Sequence, residues 1–444
     1  MTDKQYLELS QMLLQHPVLK EKPSLKIVYL NVLEYFVRKY SEDDLWANAV
    51  LDLYVEKFLD GENYDHYNEE NNQKNLKKIL STRFKPFCFY TLRYCLLIDC
   101  IFMNAYENPD VGMRILNELE VNCNKRHQKR LQMVCDFLYG NTKVIDDICN
   151  IEYMKTCWDK NRQFLMQKPI KVMVTANMSA GKSTLLNAII GKKVNKTQND
   201  ACTSKIHYIV NKAFEDGYCY ESDYILNLHA DYETLMEDNS NNTDNSIVVG
   251  THFRSFESAA KRLWLIDTPG VNSAKDIKHR QVAEQCIEAT DADLLIYLMN
   301  GENIGSEDDK RHLLFVKNGY HKKILFVVNK VDRFRKKEDS VSGTLEKVKK
   351  ELEDIGFEAP VVVPVSAYAG YLAKMLLSGE SLNEDEVDEV DRLKRKLKKD
   401  EYQFNTYYPD GFFNQKTNTA DDDNFELLLH SGLLHLENMI YNLR

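Results

Sequence analysis

The sequence predicts two domains: an all-α domain over residues 1–160, followed by an α/β domain over residues 161–444 with a mainly parallel sheet and helices on both faces. Three observations predict this division. Apolar residues recur at helical spacing through the first third of the chain. After residue 170, short apolar strands alternate with helices, as in parallel sheets with crossover connections. The first of these strands enters an amphipathic helix through a short turn, Asn177 to Gly181.

The composition is that of an ordinary soluble protein. The 444 residues suffice for two or three domains, with 43% hydrophobic and 28% charged residues. A net charge of −10 argues against general nucleic-acid binding. The ten cysteines form neither a C-x-x-C pair nor a Cys–His metal spacing, and the N-terminus lacks a signal-peptide pattern. We therefore expect reduced thiols and a cytoplasmic protein, with peripheral attachment to the inner face of the membrane as the alternative.

The N-terminal third is expected to be a series of helices. One opens at Pro23, and another follows a predicted capping box with Ser41 as N-cap and Asp44 at the reciprocal position. The pair Asn108-Pro109 predicts a further helix start. A last long helix over 143–167 leads into the first strand. The histidines and cysteines sit singly on helical faces, so we interpret this part as an interaction or regulatory module without a catalytic site.

The segment from Pro86 to Tyr106 is long and apolar enough to raise the question of a membrane span. It carries Arg93 and Asp99 near its middle, and both would be costly in lipid. We therefore expect a buried helix of a soluble bundle and no transmembrane helix.

A candidate phosphate-binding loop lies in VMVTANMSAGKSTLLNAIIG, residues 172–191. Backbone N–H groups of a tight turn at a helix N-terminus converge on an anion, and the helix dipole favours its negative charge. Lys182 is expected to reach the β- and γ-phosphates and the Ser183 hydroxyl to coordinate Mg²⁺. Ala176 stands where the usual motif has its first glycine, and on its own the segment could be a plain turn with a helix cap. The expected nucleotide-contacting residues here are Asn177, Met178, Ser179, Ala180, Gly181, Lys182, Ser183 and Thr184.

Further motifs follow in order at the ends of predicted strands. Asp267 in DTPG would hold Mg²⁺ through water, and the Gly270 N–H would meet a γ-phosphate. The predicted strands are Ile170–Thr175, Ile206–Val210, Cys219–Leu228, Arg262–Ile266, Leu294–Leu298, Ile324–Val328 and Val361–Pro364.

The segment NKVD indicates guanine recognition. The Asp332 carboxylate can accept hydrogen bonds from N1–H and the 2-amino group of guanine, which adenine does not offer. Asn329 would support the site, the Lys330 stem would cover the base, and a backbone N–H of Ser366-Ala367 would donate to the guanine O6. Each short motif recurs by chance, but ligands of open α/β sheets bind where all of them lie, at the carboxyl ends of strands.

These residues resemble the GTPase family, and within it the dynamin superfamily, particularly bacterial dynamin-like proteins. The resemblance covers roughly residues 165–444 and implies an α/β P-loop GTPase domain that binds GTP or GDP with Mg²⁺. It implies that Thr203 is the switch threonine that closes over Mg²⁺ and the γ-phosphate, so that the metal ligands are Ser183, Thr203 and Asp267. Residues 204–261 form a longer insertion than Ras-like proteins have, and we expect about 211–261 of it to be mobile.

Two absences bear on hydrolysis. Val271 occupies the position where Ras-like proteins carry a water-orienting glutamine, and no arginine lies between Gly191 and Thr203. Slow intrinsic turnover is therefore expected. The family resemblance implies face-to-face dimers in which the phosphate loop and Ser179 hold a monovalent cation, K⁺ or Na⁺. The expected catalytic residues are Ser179, Lys182, Thr203 and Gly270.

The C-terminal part holds a basic run, residues 392–399, with two interpretations. One is a patch for anionic lipid. The other, which we favour, is a helix with acids at its start and bases at its end that complement its dipole. Its buried stripe would be Val387, Val390, Leu393 and Leu397, and the tail from Phe425 would form the closing helix of the domain.

Three functions remain open on this basis. The leading one is a dynamin-like GTPase that homodimerises when GTP-bound and acts in membrane remodelling or a stress response, with membrane lipid as a peripheral partner. The second is a regulatory GTPase switch whose helical module recruits a partner protein or paralogue. The third is a nucleotide-binding scaffold with little turnover. Liposome binding separates the first two, and a GTPase assay separates both from the third.

Overall fold

The computed structural model describes residues 13–61, 64, 71–81, 92–140, 152–176, 179–194, 206–215, 217–222, 226–230, 246–255, 261–268, 277–335, 340–409 and 423–443. The chain divides into two compact units. The helical unit comprises the chain up to Met166 with residues 225–228, and the sheet unit comprises 167–224 and 229–444. Each unit has a hydrophobic core of its own.

The helical unit is built from α-helices around one apolar core. Asn108 caps α5 by accepting a hydrogen bond from the Val111 N–H, with Pro109 in the first turn, as predicted. The predicted capping box is wrong: Asp44, not Ser41, is the N-cap of α2 and accepts from the Trp46 N–H. Ser41 instead ends the preceding helix, where its N–H bonds the Val37 carbonyl. The helices are α1 Pro23–Tyr40, α2 Leu45–Leu59, α3 Asn72–Leu80, α4 Leu92–Ala105, α5 Pro109–Val121, α6 Lys125–Leu138 and α7 Glu152–Leu165.

The segment tested for a membrane span contains α4, and every residue of that helix is buried. None of the helices that the structure describes has both the length and the apolar character needed to cross a bilayer. The two charges inside α4 are satisfied within the protein. Arg93 donates to the Leu80 carbonyl at 2.9 Å, and Asp99 accepts from neighbouring side chains. Residues 82–91 lie outside the described part of the chain.

Nine strands form one sheet in the order β4-β3-β5-β2-β6-β1-β7-β8-β9. The five strands from β6 to β9 in this order are parallel, whereas β2 is antiparallel to β6. The strands are β1 Ile170–Ala176, β2 Ile206–Asn211, β3 Cys219–Ser222, β4 Leu226–Ala230, β5 Ser246–Thr251, β6 Leu263–Asp267, β7 Leu294–Asn300, β8 Lys323–Asn329 and β9 Val361–Val365.

The register of the parallel strands determines where the site lies. In the middle of the sheet Val174 is opposite both Asp267 and Ile296. Asn300 is likewise opposite Asn329, the last residue of β8. Because all five strands run the same way, their carboxyl ends and the loops that follow them share one edge of the sheet.

Two strand predictions are wrong. The run Cys219–Leu228 is two strands, β3 and β4, which fits the usual strand length of about five or six residues better than one strand of ten. The second error concerns β5, a strand that was not predicted and that lies within the segment expected to be a mobile insertion. Described residues of that insertion supply β3, β4 and β5, and β5 pairs with both β2 and β3. The apolar run from Ile247 to Val249 is buried, and this burial explains why it joins the sheet.

The helices of the sheet unit flank this sheet. The predicted helix with an acidic start and a basic end is α13, and Asn383 and Glu386 form its capping box. Its buried stripe is Val390, Leu393 and Leu397, whereas Val387 is 48% exposed, contrary to prediction. The helices are α8 Lys182–Ile190, α9 Ile277–Ala289, α10 Glu307–Gly319, α11 Val341–Ile355, α12 Ala367–Leu377, α13 Glu384–Leu397, α14 Asp423–His430 and α15 Leu433–Tyr441.

The predicted closing helix is two helices, α14 and α15, separated at Gly432, whose φ of 80° requires a left-handed turn. A buried lysine connects them to the helix that follows the phosphate loop. Lys374 of α12 forms an ion pair with Glu437 of α15 and donates to the Ile189 carbonyl of α8 at 2.9 Å. Burial lowers the pKa of Lys374, and the carboxylate of Glu437 opposes that effect. The C-terminal helices therefore support the phosphate-loop helix.

Candidate nucleotide-binding site

The phosphate loop has the backbone geometry of an anion cradle in its described part. Ser179 and Gly181 have positive φ angles of 61° and 90°, and Gly181 is the N-cap of α8. A Cβ at Gly181 would come within 2.5 Å of the Asn329 amide nitrogen, so this position needs glycine for both conformation and space. Asn177 and Met178 lie outside the described residues. The cradle therefore depends on close contact with the end of β8.

Asn329 makes that contact. Its side chain is only 3% exposed. Its amide nitrogen donates to the Ala180 carbonyl at 2.8 Å, and its amide oxygen accepts from the Ala367 N–H at 3.1 Å. One side chain thus joins the phosphate loop to the segment after β9. The role of Asn329 in supporting a guanine site stays a prediction.

Lys330 lies across the same loop. Its Nζ donates to the Ser179 carbonyl at 2.6 Å, and its φ of 66° directs the chain into the turn that carries Asp332. Burial lowers the pKa of Lys330, and the nearby Arg333 guanidinium lowers it further. Asn300, at the end of β7, contributes a longer hydrogen bond of 3.4 Å to the same carbonyl. The ends of β7 and β8 thus hold Ser179, whose side chain remains exposed.

Lys182 and Asp267 form an ion pair at the neighbouring strand ends. Their side chains are 10% and 1% exposed, so little solvent screens the pair. Thr268 fixes the end of β6 by donating its hydroxyl to the Val174 carbonyl at 3.1 Å. Thr203 and Gly270, the other two predicted residues of this region, lie outside the described residues.

The oxygens present here suit Mg²⁺. The Ser183 hydroxyl and the Asp267 carboxylate are hard donors of the kind that bind Mg²⁺ together with nucleotide phosphates and water. Within the described ranges, no group of three or more His, Cys, Asp or Glu side chains is placed to hold a metal ion. A site with few protein ligands matches the usual preference of Mg²⁺, which keeps several waters and phosphate oxygens.

Three of the predicted guanine-binding residues, Asn329, Lys330 and Asp332, line a cavity of about 260 Å³. Asp332 lies in a 3-10 turn, Val331–Arg333, and is 6% exposed. The cavity is lined by Gly181, Thr184, Asn187, Lys193, Asn329, Lys330, Asp332, Arg333, Tyr368, Tyr371, Glu386 and Glu389.

The segment Ser366-Ala367 lies next to this cavity, but its N–H groups are used within the protein. The Ser366 N–H donates to the Ser431 carbonyl at 2.9 Å, and the Ala367 N–H donates to Asn329. The Ser366 hydroxyl caps α12 by accepting from the Ala369 N–H. Both N–H groups thus have partners within the protein, and the donation from Ser366 or Ala367 to the guanine O6 stays a prediction.

Sequence reasoning missed the contribution of helices far along the chain. Tyr368 and Tyr371 of α12, and Glu386 and Glu389 of α13, line the cavity. Arg392 of α13 lies 3.6 Å from the Asp332 carboxylate. The acidic start and basic end of α13 were visible in the sequence, but only the fold shows that part of this helix faces the site.

The sheet, the phosphate loop and the residues at the strand ends define a P-loop nucleotide-binding domain. The comparison with known families agrees. The family model described as "Dynamin family" matches residues 172–331. Residues 172–331 are therefore similar to the dynamin family, and this match covers less than half of the chain.

Similar proteins share only part of their length with this chain. Elongation factor 1-alpha of Methanocorpusculum labreanum is 24% identical over 166 residues, 36% of this chain and 37% of that protein. A probable chloroplastic transmembrane GTPase, FZO-like, of Arabidopsis thaliana is 22% identical over 213 residues, 47% of this chain and 20% of that protein. A solved chain of an oligomerised bacterial dynamin pair covers 93% of this chain and 70% of its own length, with 16% identity and a TM-score of 0.38. The chain thus spans less than two fifths of the length of these curated relatives.

Proposed function

We propose that this protein binds GTP and hydrolyses it to GDP and phosphate with Mg²⁺. The observation that carries the proposal is the Asn329 bridge, which joins the phosphate loop to the segment after β9 beside a cavity lined by Asp332. In this arrangement one edge of the sheet presents a phosphate-binding turn and a guanine-reading carboxylate at the same time. The family match supports the same assignment.

The proposal assigns a role to each predicted residue of the phosphate and metal site. Lys182 and the loop N–H groups bind the phosphates, while Ser183, Asp267 and Thr203 would hold Mg²⁺. A bound Mg²⁺ would supply positive charge that neutralises the phosphate oxygens. The Gly270 N–H meets the γ-phosphate. Lys182 and Asp267 form an ion pair that is largely excluded from solvent. The Lys182 ammonium group is therefore close to the carboxylate that would bind the metal.

Guanine specificity is assigned to Asp332, with the Lys330 stem over the base. Ser179 is assigned to catalysis. It is exposed on the loop, and its carbonyl is held by Lys330 and Asn300, so the position is both rigid and accessible to a second copy. A K⁺ or Na⁺ ion held there in a GTP-dependent homodimer would supply the positive charge that an arginine supplies in other GTPases.

The test is phosphate release measured over a range of protein concentrations, with GTP and with ATP. We expect hydrolysis of GTP alone, specific activity that rises with protein concentration, and stimulation by K⁺ or Na⁺. Sedimentation with GDP and aluminium fluoride should then show a dimer. Absence of GTP binding would refute the proposal as a whole, whereas GTP turnover at constant specific activity would refute only the dimerisation.

The membrane role is proposed from the resemblance to the dynamin family alone. The basic run of α13 gives it little support, because Lys396 donates to the Phe334 carbonyl and Lys398 pairs with Asp423 and Glu426. Co-sedimentation with anionic liposomes, with and without GTP, is the measurement. Binding supports membrane remodelling. GTP hydrolysis without liposome binding would favour the alternative, a switch that recruits a protein partner or paralogue through the helical unit.

A further inference from the structure

A chain of charges leads from α13 to the guanine-reading carboxylate. The guanidinium of Arg392 lies 3.6 Å from the Asp332 Oδ2. The same guanidinium is held by Glu389 through two hydrogen bonds of 2.7 and 2.6 Å. This paired geometry fixes the plane of the guanidinium as well as its position.

The side chains of Asp332 and Arg392 differ in how far they are buried. The Asp332 side chain is 8% exposed, whereas that of Arg392 is 41% exposed. A buried carboxylate needs nearby positive charge, and the cations around Asp332 include Arg392, Lys330 and Lys396. The hydrogen bonds from Arg392 lower the pKa of Glu389, so the anchor of the guanidinium stays ionised at neutral pH. Of these cations, Arg392 is the one that the structure pairs directly with the Asp332 carboxylate.

The carboxylate can serve Arg392 and a base together. An ionised carboxylate has about four lone-pair directions on its two oxygens. Guanine would use one direction on each oxygen, through N1–H and the 2-amino group, while Arg392 faces Oδ2 as an ion pair at 3.6 Å. A contact that holds Oδ2 from outside the cavity restricts rotation of the carboxylate and reduces the entropy lost when the base binds.

We propose that Arg392, anchored by Glu389, is a positioning residue that sets the guanine selectivity of Asp332. The inference rests on the proposed function, since it assumes that Asp332 reads guanine. It predicts that α13, more than 50 residues after NKVD, influences which base the site accepts.

Inosine nucleotides make a sharp test because inosine lacks the 2-amino group and loses one of the two hydrogen bonds to Asp332. Dissociation constants for fluorescent GDP and IDP are measured on the full chain. We expect the wild-type protein to prefer GDP by at least about tenfold. Arg392→Gln should reduce that ratio by about threefold to tenfold, with Arg392→Lys in between because lysine lacks the planar fork. Glu389→Gln, which leaves the charge of Arg392 but loosens its anchor, should reduce the ratio less.

Arg395→Gln is the matched control. Arg395 lies on the same helix, is exposed, and donates to its own helix at the Asp391 carbonyl. It should keep the wild-type ratio. A merely structural role for Arg392 would weaken GDP and IDP equally and leave the ratio unchanged, and that result overturns the inference while the proposed function stands. Tighter GDP binding by Arg392→Gln also overturns it, because Arg392 would then compete with the base.

A wild-type protein that binds neither nucleotide would refute the proposed function and this inference with it. If Arg392→Gln does not fold, the inference is tested with Glu389→Gln and Arg392→Lys instead. A wild-type preference for GDP over IDP in both of these variants overturns the inference.

Discussion

The two units both bury polar side chains, but they do so for different reasons. In the helical unit, Asp99 is fully buried and is surrounded by His16, Tyr29 and Tyr54, all of which are also fully buried. In the sheet unit, Asn329 and Asp332 are nearly as buried, yet they lie at the edge of a cavity where strands end. Burial of a polar group therefore does not by itself indicate function. What distinguishes the two cases is whether the group faces a space that a ligand can enter.

The Asp99 cluster is satisfied from within. Tyr29 and Tyr54 donate to the carboxylate at 2.5 and 3.0 Å, and His16 Nε2 lies 3.0 Å from it. The tautomer of His16 follows from its other nitrogen, because Nδ1 accepts from the Val18 N–H and the ring proton must then be on Nε2. The cluster therefore consists of one anion with three donors. Burial, followed by the charge of Asp99, raises the pKa of both tyrosines well above the usual range, so they remain donors.

The largest effect that we predict is on stability. Asp99→Ala removes the acceptor of three buried donors and should lower the free energy of unfolding of the helical unit by about 3–5 kcal/mol. Urea denaturation of the full chain, followed by tryptophan fluorescence because Trp46 and Trp158 are buried in this core, is the measurement. Glu107→Ala, an exposed acid just after α4, is the control and should change little. A loss of GTP turnover in folded Asp99→Ala protein would contradict the purely structural role of this cluster.

The next effect is on activity. Lys182→Ala removes a charge aimed at the phosphates and should reduce GTP turnover by about a hundredfold to a thousandfold. The transition of the helical unit in urea should stay at its wild-type midpoint. Lys310→Ala is the control, because Lys310 is an exposed lysine with only a 4.0 Å contact to Glu307. Turnover close to wild type in Lys182→Ala would contradict the assignment of the phosphate loop.

Asn329→Ala should have an intermediate effect. This substitution removes the partner of the Ala180 carbonyl and of the Ala367 N–H. We expect a total loss of about 1–3 kcal/mol, divided between the free energy of unfolding of the sheet unit and the free energy of GDP binding. Asn300→Ala is the matched variant, because its bond to the phosphate loop is longer, 3.4 Å, and exposed. Calorimetric titration with GDP and denaturation together measure both parts. Equal affinity losses in the two variants would show that the bridge has no special role.

Much of the site could be predicted because its residues follow strands whose apolar character is strong. Asp267 and Asn329 end such strands, Lys182 begins the helix that follows another, and a parallel sheet brings these positions to one edge. The position of Arg392 could not be predicted in this way. It depends on how α13 packs against the site, and a helix that is polar on most faces does not reveal which of its polar residues faces a cavity.

The fold predictions failed where local signals compete. At Ser41-Glu42-Asp43-Asp44 two residues can cap a helix, and sequence alone does not say which one follows the last turn of α1. The strand β5 was missed because it follows a polar stretch, although Ile247 to Val249 is apolar and buried. A similar error occurs in a helix at Val387, which has the right spacing for the buried stripe of α13 but is nearly half exposed.

The smallest effect that we predict distinguishes the two candidate caps of α2. Asp44→Ala removes the acceptor of the Trp46 N–H, 3.0 Å away, and should destabilise the helical unit by about 1 kcal/mol. Ser41→Ala, three residues earlier and similarly half-buried, should have less than half that effect because Ser41 ends α1 through its backbone N–H. Both are measured as shifts in the urea midpoint of the helical unit at unchanged slope. The reverse order would restore Ser41 as the cap. GTP turnover should be the same in both variants, because in this unit the polar side chains that cap and fill the helices stabilise the fold, whereas we propose nucleotide binding for those at the strand ends of the sheet unit.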